Sequence, residues 1–212
     1  MSTDATPRIR LVGTVVAACK QQLDSAGGMV LDLDVVTRRE VTIPEGRTVG
    51  REDHHWVQIL GCRWDREDYP EVGDRLEVEA YLGFEAVGAL GPTSTLALSP
   101  YQRELADESM PDESEAVLTG RVEAIVPPGT WIEDGLSEIL QLRLVETSGA
   151  GGEPRLREEW PPVSVVVAEP GVAAEVSRVR IGEVVTVRGA LIQRPSSEGR
   201  PWCHAVIASA LA

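Results

Sequence analysis

Lysine is almost absent from this 212-residue chain: Lys20 stands alone against nineteen arginines. Aromatic residues are scarce as well, at 4%, with one Phe beside five Trp and three Tyr, so any task needing an aromatic face falls on few side chains. No run of about 18 apolar residues occurs, which excludes a membrane-crossing helix. Three cysteines, an odd number at unrelated positions, give no disulfide framework. The first residues, Met-Ser-Thr-Asp-Ala-Thr-Pro, lack the basic patch and apolar core of a secretory signal, so a cytoplasmic location without a membrane is expected.

Positive charge is in deficit: the formal net charge is −14. Residues 1–104 carry 11 basic and 17 acidic groups, 105–115 carry none and 5, and 116–212 carry 9 and 12. More than a third of the excess thus sits in eleven residues, 105–115. A self-repelling stretch of that kind, with Pro111 inside it, is expected to be an extended, solvated acidic linker.

What the chain does contain is a repeat. Residues 118–122 (Leu-Thr-Gly-Arg-Val) echo 11–15 (Leu-Val-Gly-Thr-Val), and 179–187 echo the stretch around Gly73. The offsets, 120 − 13 = 107 and 182 − 73 = 109, are nearly equal, so the spacing between the two anchors is kept in both halves. Two domains of about 100 residues follow, 1–104 and 116–212, joined by 105–115.

Period-two alternation dominates both halves. Leu31, Leu33 and Val35 alternate with Asp32 and Asp34; Leu140, Leu142 and Leu144 alternate with Gln141 and Arg143. Such segments are half-buried strands. They are expected near 8–18, 28–39, 54–62, 74–84 and 93–99, and again near 116–126, 138–147, 162–168, 183–194 and 202–211. Val172, Ala173, Val176 and Val179 share one helical face, predicting a short helix between the third and fourth strands of the second copy, while Pro70 and the acidic run before it leave at most a turn in the first. The expected fold class is therefore all-β: two tandem five-stranded OB-fold barrels, with a short helix between strands three and four of at least the second.

Residues 162–211 carry a more particular pattern: a valine-rich strand (163–168), Ala173-Ala174-Glu175, then Ile-Gly-Glu-Val-Val-Thr-Val-Arg-Gly-Ala-Leu at 181–191. This resembles the bacterial single-stranded DNA-binding protein family, in which a Trp-led third strand, a helix and a fourth strand of this form follow in order. Residues 9–15, 54–61 and 72–82 resemble it more faintly. Val72 and Ile181 stand where the family usually carries Lys before the glycine. The resemblance implies single-stranded DNA as partner, bound without sequence preference. As the family commonly displays four OB-folds per assembly, it also implies a homodimer and a role in DNA replication or repair.

Single-strand binding needs aromatic platforms in a groove lined with cations. Trp56 and Trp160, placed just before the third strand of each copy, match the family's stacking position; Trp64, Tyr81, Phe84 and Trp202 are further candidates. Arg38, Arg39, Arg51, Arg188, Arg194 and Arg200 flank those strands or lie in their loops and are candidates for phosphate contact. Because both repeats are net negative, basicity must be local. The other reading is an acidic OB-fold interaction or assembly subunit that has lost nucleic-acid binding and meets a basic protein partner.

Enzymatic chemistry has little to stand on. His54-His55 with Cys62, and Cys203-His204, are the soft-ligand groups, and neither completes a zinc set. On a strand, His54 and His55 face opposite ways. The Gly-Ala-Gly-Gly at 149–152 lacks the Lys-Ser/Thr of a phosphate loop. No metal, no cofactor and no enzymatic activity are expected.

Overall fold

Alternating apolar residues become strands, and the strands close two rings of the same design. The computed structural model describes residues 8–22, 29–42, 47–60, 69–85, 95–126, 131–133, 136–147, 154–156, 162–167, 170–176, 178–194 and 203–212. In the first half β1 (Arg8–Gln22), β2 (Met29–Thr42), β3 (Thr48–Leu60), β4 (Arg75–Glu85) and β5 (Thr95–Leu105) pair in the cyclic order β1-β2-β3-β5-β4. Every pairing is antiparallel except β3–β5, where Val57 lies beside Leu98.

The second half repeats this ring with β6 (Glu113–Ile125), β8 (Leu136–Thr147), β10 (Val163–Val167), β11 (Val184–Arg194) and β12 (Cys203–Leu211), again with one parallel contact, β10–β12. Two three-residue strands that the alternation did not predict, β7 (Trp131–Glu133) and β9 (Pro154–Leu156), pair with the two ends of β8. The helix α1 (Pro170–Val176) sits between β10 and β11, as its apolar spacing predicted. Pro170 suits a first turn, where its missing N–H is not needed, and Val172 and Val176, four apart, are buried in the core. In the first barrel Tyr69 packs against the same core, with the Lys20 ammonium 3.9 Å from its ring centre.

The core is aliphatic, as the scarcity of aromatics requires. On β6 the burial alternates strictly, with Ala116, Leu118, Gly120 and Val122 inward. Leu11, Leu31, Leu33, Val57, Val78 and Leu98 fill the first barrel; Leu140, Leu142, Leu144, Val165, Val187 and Val206 fill the second.

The duplicated anchors are the places where the chain bends. Register slips between Val15 and Ala17 in β1 and between Val122 and Ala124 in β6, and again between Glu79 and Ala80 in β4 and Arg188 and Gly189 in β11. Bulges of this kind bend a strand enough to close a small barrel. Gly13 and Gly120 precede the first pair, and a Cβ there would meet Val36 O at 2.6 Å and Arg143 O at 2.8 Å. Gly73 and Gly182 have φ of 102° and 90° and turn the chain into β4 and β11. In both copies the turn is tied to the bulge: Gly73 N donates to Val15 O and Val15 N to Asp74 O, while Gly182 N donates to Val122 O and Val122 N to Glu183 O.

The barrels meet through β1 and β6, which pair antiparallel from Arg8↔Val117 to Val12↔Glu113. A continuous six-stranded run β5-β4-β1-β6-β11-β12 results. Arg10 reinforces the seam, reaching Glu77 of the first barrel at 2.8 Å and Glu113 of β6 at 2.9 Å.

In the stretch expected to be an extended, solvated linker, Leu105, Asp107, Glu108, Ser109 and Pro111 are exposed, while its two ends belong to strands and Asp112 is tied to the first barrel. β5 runs to Leu105 and β6 starts at Glu113, so residues 106–112 make the connection. Asp112 binds the Arg75 guanidinium at 2.7 Å and accepts the Arg38 amide at 2.6 Å, and Arg75 also donates to Met110 O. Counting like charges along the chain predicts repulsion; the cation that pairs with Asp112 sits 112 − 75 = 37 residues away in β4.

Candidate nucleic-acid interface

The β2–β3 hairpin carries four of the residues singled out above, and its register explains how each is held. Thirteen consecutive pairs run from Val30↔Leu60 to Thr42↔Thr48. β1 accompanies β2 only as far as Thr14↔Val36, so residues 37–42 and 48–53 extend past the barrel as an arm. This arm does not hang free: the Arg38 amide is tied to Asp112. β3 starts six residues earlier than alternation predicted, because Gly50 and the polar run Arg51-Glu52-Asp53 break the apolar period before His54.

Alternation sorts the hairpin into two faces. Leu31, Leu33, Val35, Val57 and Ile59 face the barrel interior, and Thr37 and buried His55 continue that face, with His55 Nε2 2.9 Å from Thr37 Oγ1. The other face carries Asp32, Asp34, Arg38, Glu52, His54, Trp56 and Gln58. The two histidines thus do point to opposite sides, His54 Nδ1 lying 2.9 Å from Asp34.

Trp56 lies inside β3 rather than before it, and the residue is only 4% exposed. Its indole N–H donates to Asp32 Oδ1 at 3.3 Å, and Gln58 Nε2 donates to the same oxygen at 2.9 Å. Asp32 is itself fully buried. In this conformation the ring is a packed, hydrogen-bonded group and presents no face on which a base can stack.

The arginines of the arm are already engaged. Arg38 Nε donates to Glu52 Oε1 at 2.9 Å, with both side chains more than half exposed. Arg39 uses Nε and Nη2 on the two oxygens of Asp53, whose side chain is 8% exposed. Arg51, exposed, stands directly opposite Arg39.

The remaining candidates lie elsewhere. Tyr81, 37% exposed on β4, is opposite Arg8 and Ser99. Arg188 sits on β11, exposed, 3.6 Å from Glu115. Phe84 is opposite Leu96 on β4, and Arg194 ends β11; their side chains lie outside the described residues, as do Trp64, Trp160, Trp202 and Arg200 altogether. The hairpin therefore gathers Trp56, Arg38, Arg39 and Arg51, and leaves Tyr81 and Arg188 on other strands.

Sequence reading missed the carboxylates that hold these groups. A hairpin register supplies them: partners in β2 and β3 sum to 90, which puts Glu52 across from Arg38 and Gln58 across from Asp32.

The whole chain matches known structures end to end. Against the wild-type single-stranded DNA binding protein from Thermus aquaticus the TM-score is 0.64 at 19% identity, covering 97% of this chain and 91% of that one. A deletion variant of the same protein gives a TM-score of 0.64 at 19% identity, over 97% of this chain and 93% of that one. The fold is that of the bacterial single-stranded DNA-binding proteins. The agreement takes in both barrels together. No family model and no curated protein matches the sequence. Among the described residues no helix is long and apolar enough to cross a membrane.

Proposed function

We propose that this protein binds single-stranded DNA without sequence preference, through grooves on its two OB barrels, as a non-enzymatic protein of the cytoplasm serving DNA replication or repair. The observation that carries the reading is the match of both barrels, over 97% of the chain, to a protein that is itself a single-stranded DNA binder. OB barrels bind oligonucleotides on the strand 2–3 face and adjoining loops, which here is the β2–β3 hairpin of the first barrel and β8–β10 of the second.

In this reading residues 1–104 and 116–212 are the two binding domains. Arg38, Arg39 and Arg51 on the arm, with Arg188, Arg194 and Arg200 in the second half, meet phosphates. Trp64, Trp160, Trp202, Phe84 and Tyr81 supply stacking, and Trp56 shapes the face beneath the strand. The chain works as a homodimer, giving four barrels per assembly.

Titrating the intrinsic tryptophan signal with oligo-dT at low salt tests the proposal. Binding at about micromolar strand that strengthens as salt falls is expected. Unquenched tryptophans and a salt-independent signal overturn it and leave the acidic interaction subunit as the surviving reading. Light scattering at twice 22.9 kDa is expected for the dimer, and a mass of 22.9 kDa rules it out.

A further inference from the structure

Resting on the single-strand reading above, we propose that Glu52 and Asp53 are built-in competitors for the strand's phosphates, so that the β2–β3 arm binds DNA by exchanging carboxylate for phosphate. The register makes the competition specific. Glu52 stands directly across from Arg38, and Asp53, one position further along β3, reaches Arg39 diagonally. Each arginine thus carries its own anion, drawn from the facing strand.

The occupied atoms are those a phosphate needs. A guanidinium recognises carboxylate and phosphate through the same donors, and the paired geometry is the strong one. Asp53 takes the Nε–Nη2 edge of Arg39 with both of its oxygens, and Glu52 takes Nε of Arg38. The arm's backbone is held where Asp112 accepts the Arg38 amide and by the ladder that pairs residues 37–42 with 48–53. Exchange is therefore a side-chain event: the guanidinium rotates from carboxylate to phosphate without a hinge.

The two pairs differ in how readily they yield. Arg38–Glu52 is more than half exposed on both sides, at 64% and 55%, so little free energy holds it. Arg39–Asp53 is largely buried, and Asp53 also compensates the like-charge contact of Arg39 facing Arg51 across the ladder. Arg38 therefore exchanges first, and Arg39 yields its carboxylate less readily. A second consequence concerns salt. An arginine that arrives with its own carboxylate neutralises less of the strand, so the salt dependence of binding is shallower than the number of arginines at the arm.

The test is fluorescence anisotropy of a labelled oligo-dT against the wild type, E52Q and E175Q across a salt series. Glu175 is exposed on α1 of the second barrel, so E175Q makes the same change in net charge without releasing an arginine. E52Q is expected to bind about two- to fivefold tighter, the span set by an exposed ion pair. Its log-affinity against log-salt slope is expected to steepen by about 0.7, the value for one more phosphate neutralised on a single strand. E175Q is expected to follow the wild type. Adding R38A completes the cycle: it should cost more affinity in the E52Q background than in the wild type. If the wild type binds but E52Q and E175Q behave alike, or R38A costs the same in both backgrounds, the exchange is overturned. If none of the proteins binds oligo-dT at low salt, the single-strand reading itself is what has failed.

Discussion

Ile9 lies directly opposite Ala116 in the β1–β6 ladder, and the two occupy one position of the repeat, since 116 − 9 = 107, the offset between Gly13 and Gly120. A local two-fold axis therefore passes through that pair. The flanking pairs Arg8↔Val117 and Arg10↔Glu115 are images of each other, because 8 + 107 = 115 and 10 + 107 = 117. An antiparallel ladder between equivalent segments is self-complementary, the arrangement by which two copies of one strand edge satisfy each other. Covalent linkage of the copies has let the edge become unequal. Arg10 reaches Glu77 and Glu113, and its pKa is raised first by the Glu77 hydrogen bond and then by the Glu113 charge, while its image in the second copy is Val117. The seam now has a sense of direction.

The repeated glycines separate two reasons for using the residue. Gly120→Ala places a Cβ 2.8 Å from the Arg143 carbonyl, which the barrel wall must move to relieve. A loss of about 1–3 kcal/mol is expected, as for overpacking. Gly73→Ala meets nothing within 4 Å, and its cost is the φ of +102° alone, about 1 kcal/mol. Urea denaturation of the two variants orders them; equal losses contradict the distinction.

Asp112 is the residue that turns an acidic spacer into a joint. Its side chain and that of Arg75 are 12% and 13% exposed, so Asp112→Ala leaves a nearly buried guanidinium without its anion and the Arg38 amide without its acceptor. A loss of about 3 kcal/mol is expected, at the lower end for a broken buried pair because some solvent remains. Limited proteolysis is expected to cut within 106–112 in the variant and spare the wild type. A variant as stable and as resistant as the wild type rules the joint out.

These residues also show what could be read from the sequence. Leu31, Leu33 and Val35 announced β2 because one face is apolar without exception. The start of β3 was hidden, since Arg51, Glu52 and Asp53 are polar on both faces and only the ladder makes them strand. β7 and β9, three residues each, are too short for any period. The joint was invisible because its energetics lie in a contact between Arg75 and Asp112, which local charge counting treats as a solvated anion. At the site, the sequence places Trp56 as a platform just before the third strand; its place inside β3 follows from the ladder, and its burial depends on Asp32, which alternation assigns to the solvent face.

That burial carries a prediction of its own. Trp56→Phe keeps most of the ring contacts and deletes the donor to Asp32, so a loss of about 1 kcal/mol is expected. Trp56→Ala is expected to cost about 3–5 kcal/mol, as for a large core truncation. Oligo-dT affinity of the Phe variant should match the wild type. Reduced affinity with an unchanged denaturation midpoint would make the ring a stacking platform and contradict the packing role.

The turn leading into the joint has a pH signature. Asp107 Oδ1 accepts from the Ser109 hydroxyl at 2.6 Å and from the Ser109 amide at 2.8 Å. Both bonds favour the charged form, the hydroxyl more, and hold the Asp107 carboxyl below its ordinary 3.8. A carboxyl depressed in the folded state adds stability that is fully present above its ordinary value and is lost as pH falls through the folded one. The loss is therefore confined to pH below about 4, and the contribution is fully present at neutrality. Ser109→Ala removes the larger cause and keeps the amide, so NMR titration of the Asp107 carboxyl carbon should show its midpoint moving upward, part of the way to 3.8. Met110 N donates to Asp107 O in the same turn, and Met110 O accepts from Arg75, so acid loosening of Asp107 should reach the Arg75 contact as well. An Asp107 midpoint unmoved by Ser109→Ala would show that the hydroxyl does not hold the turn.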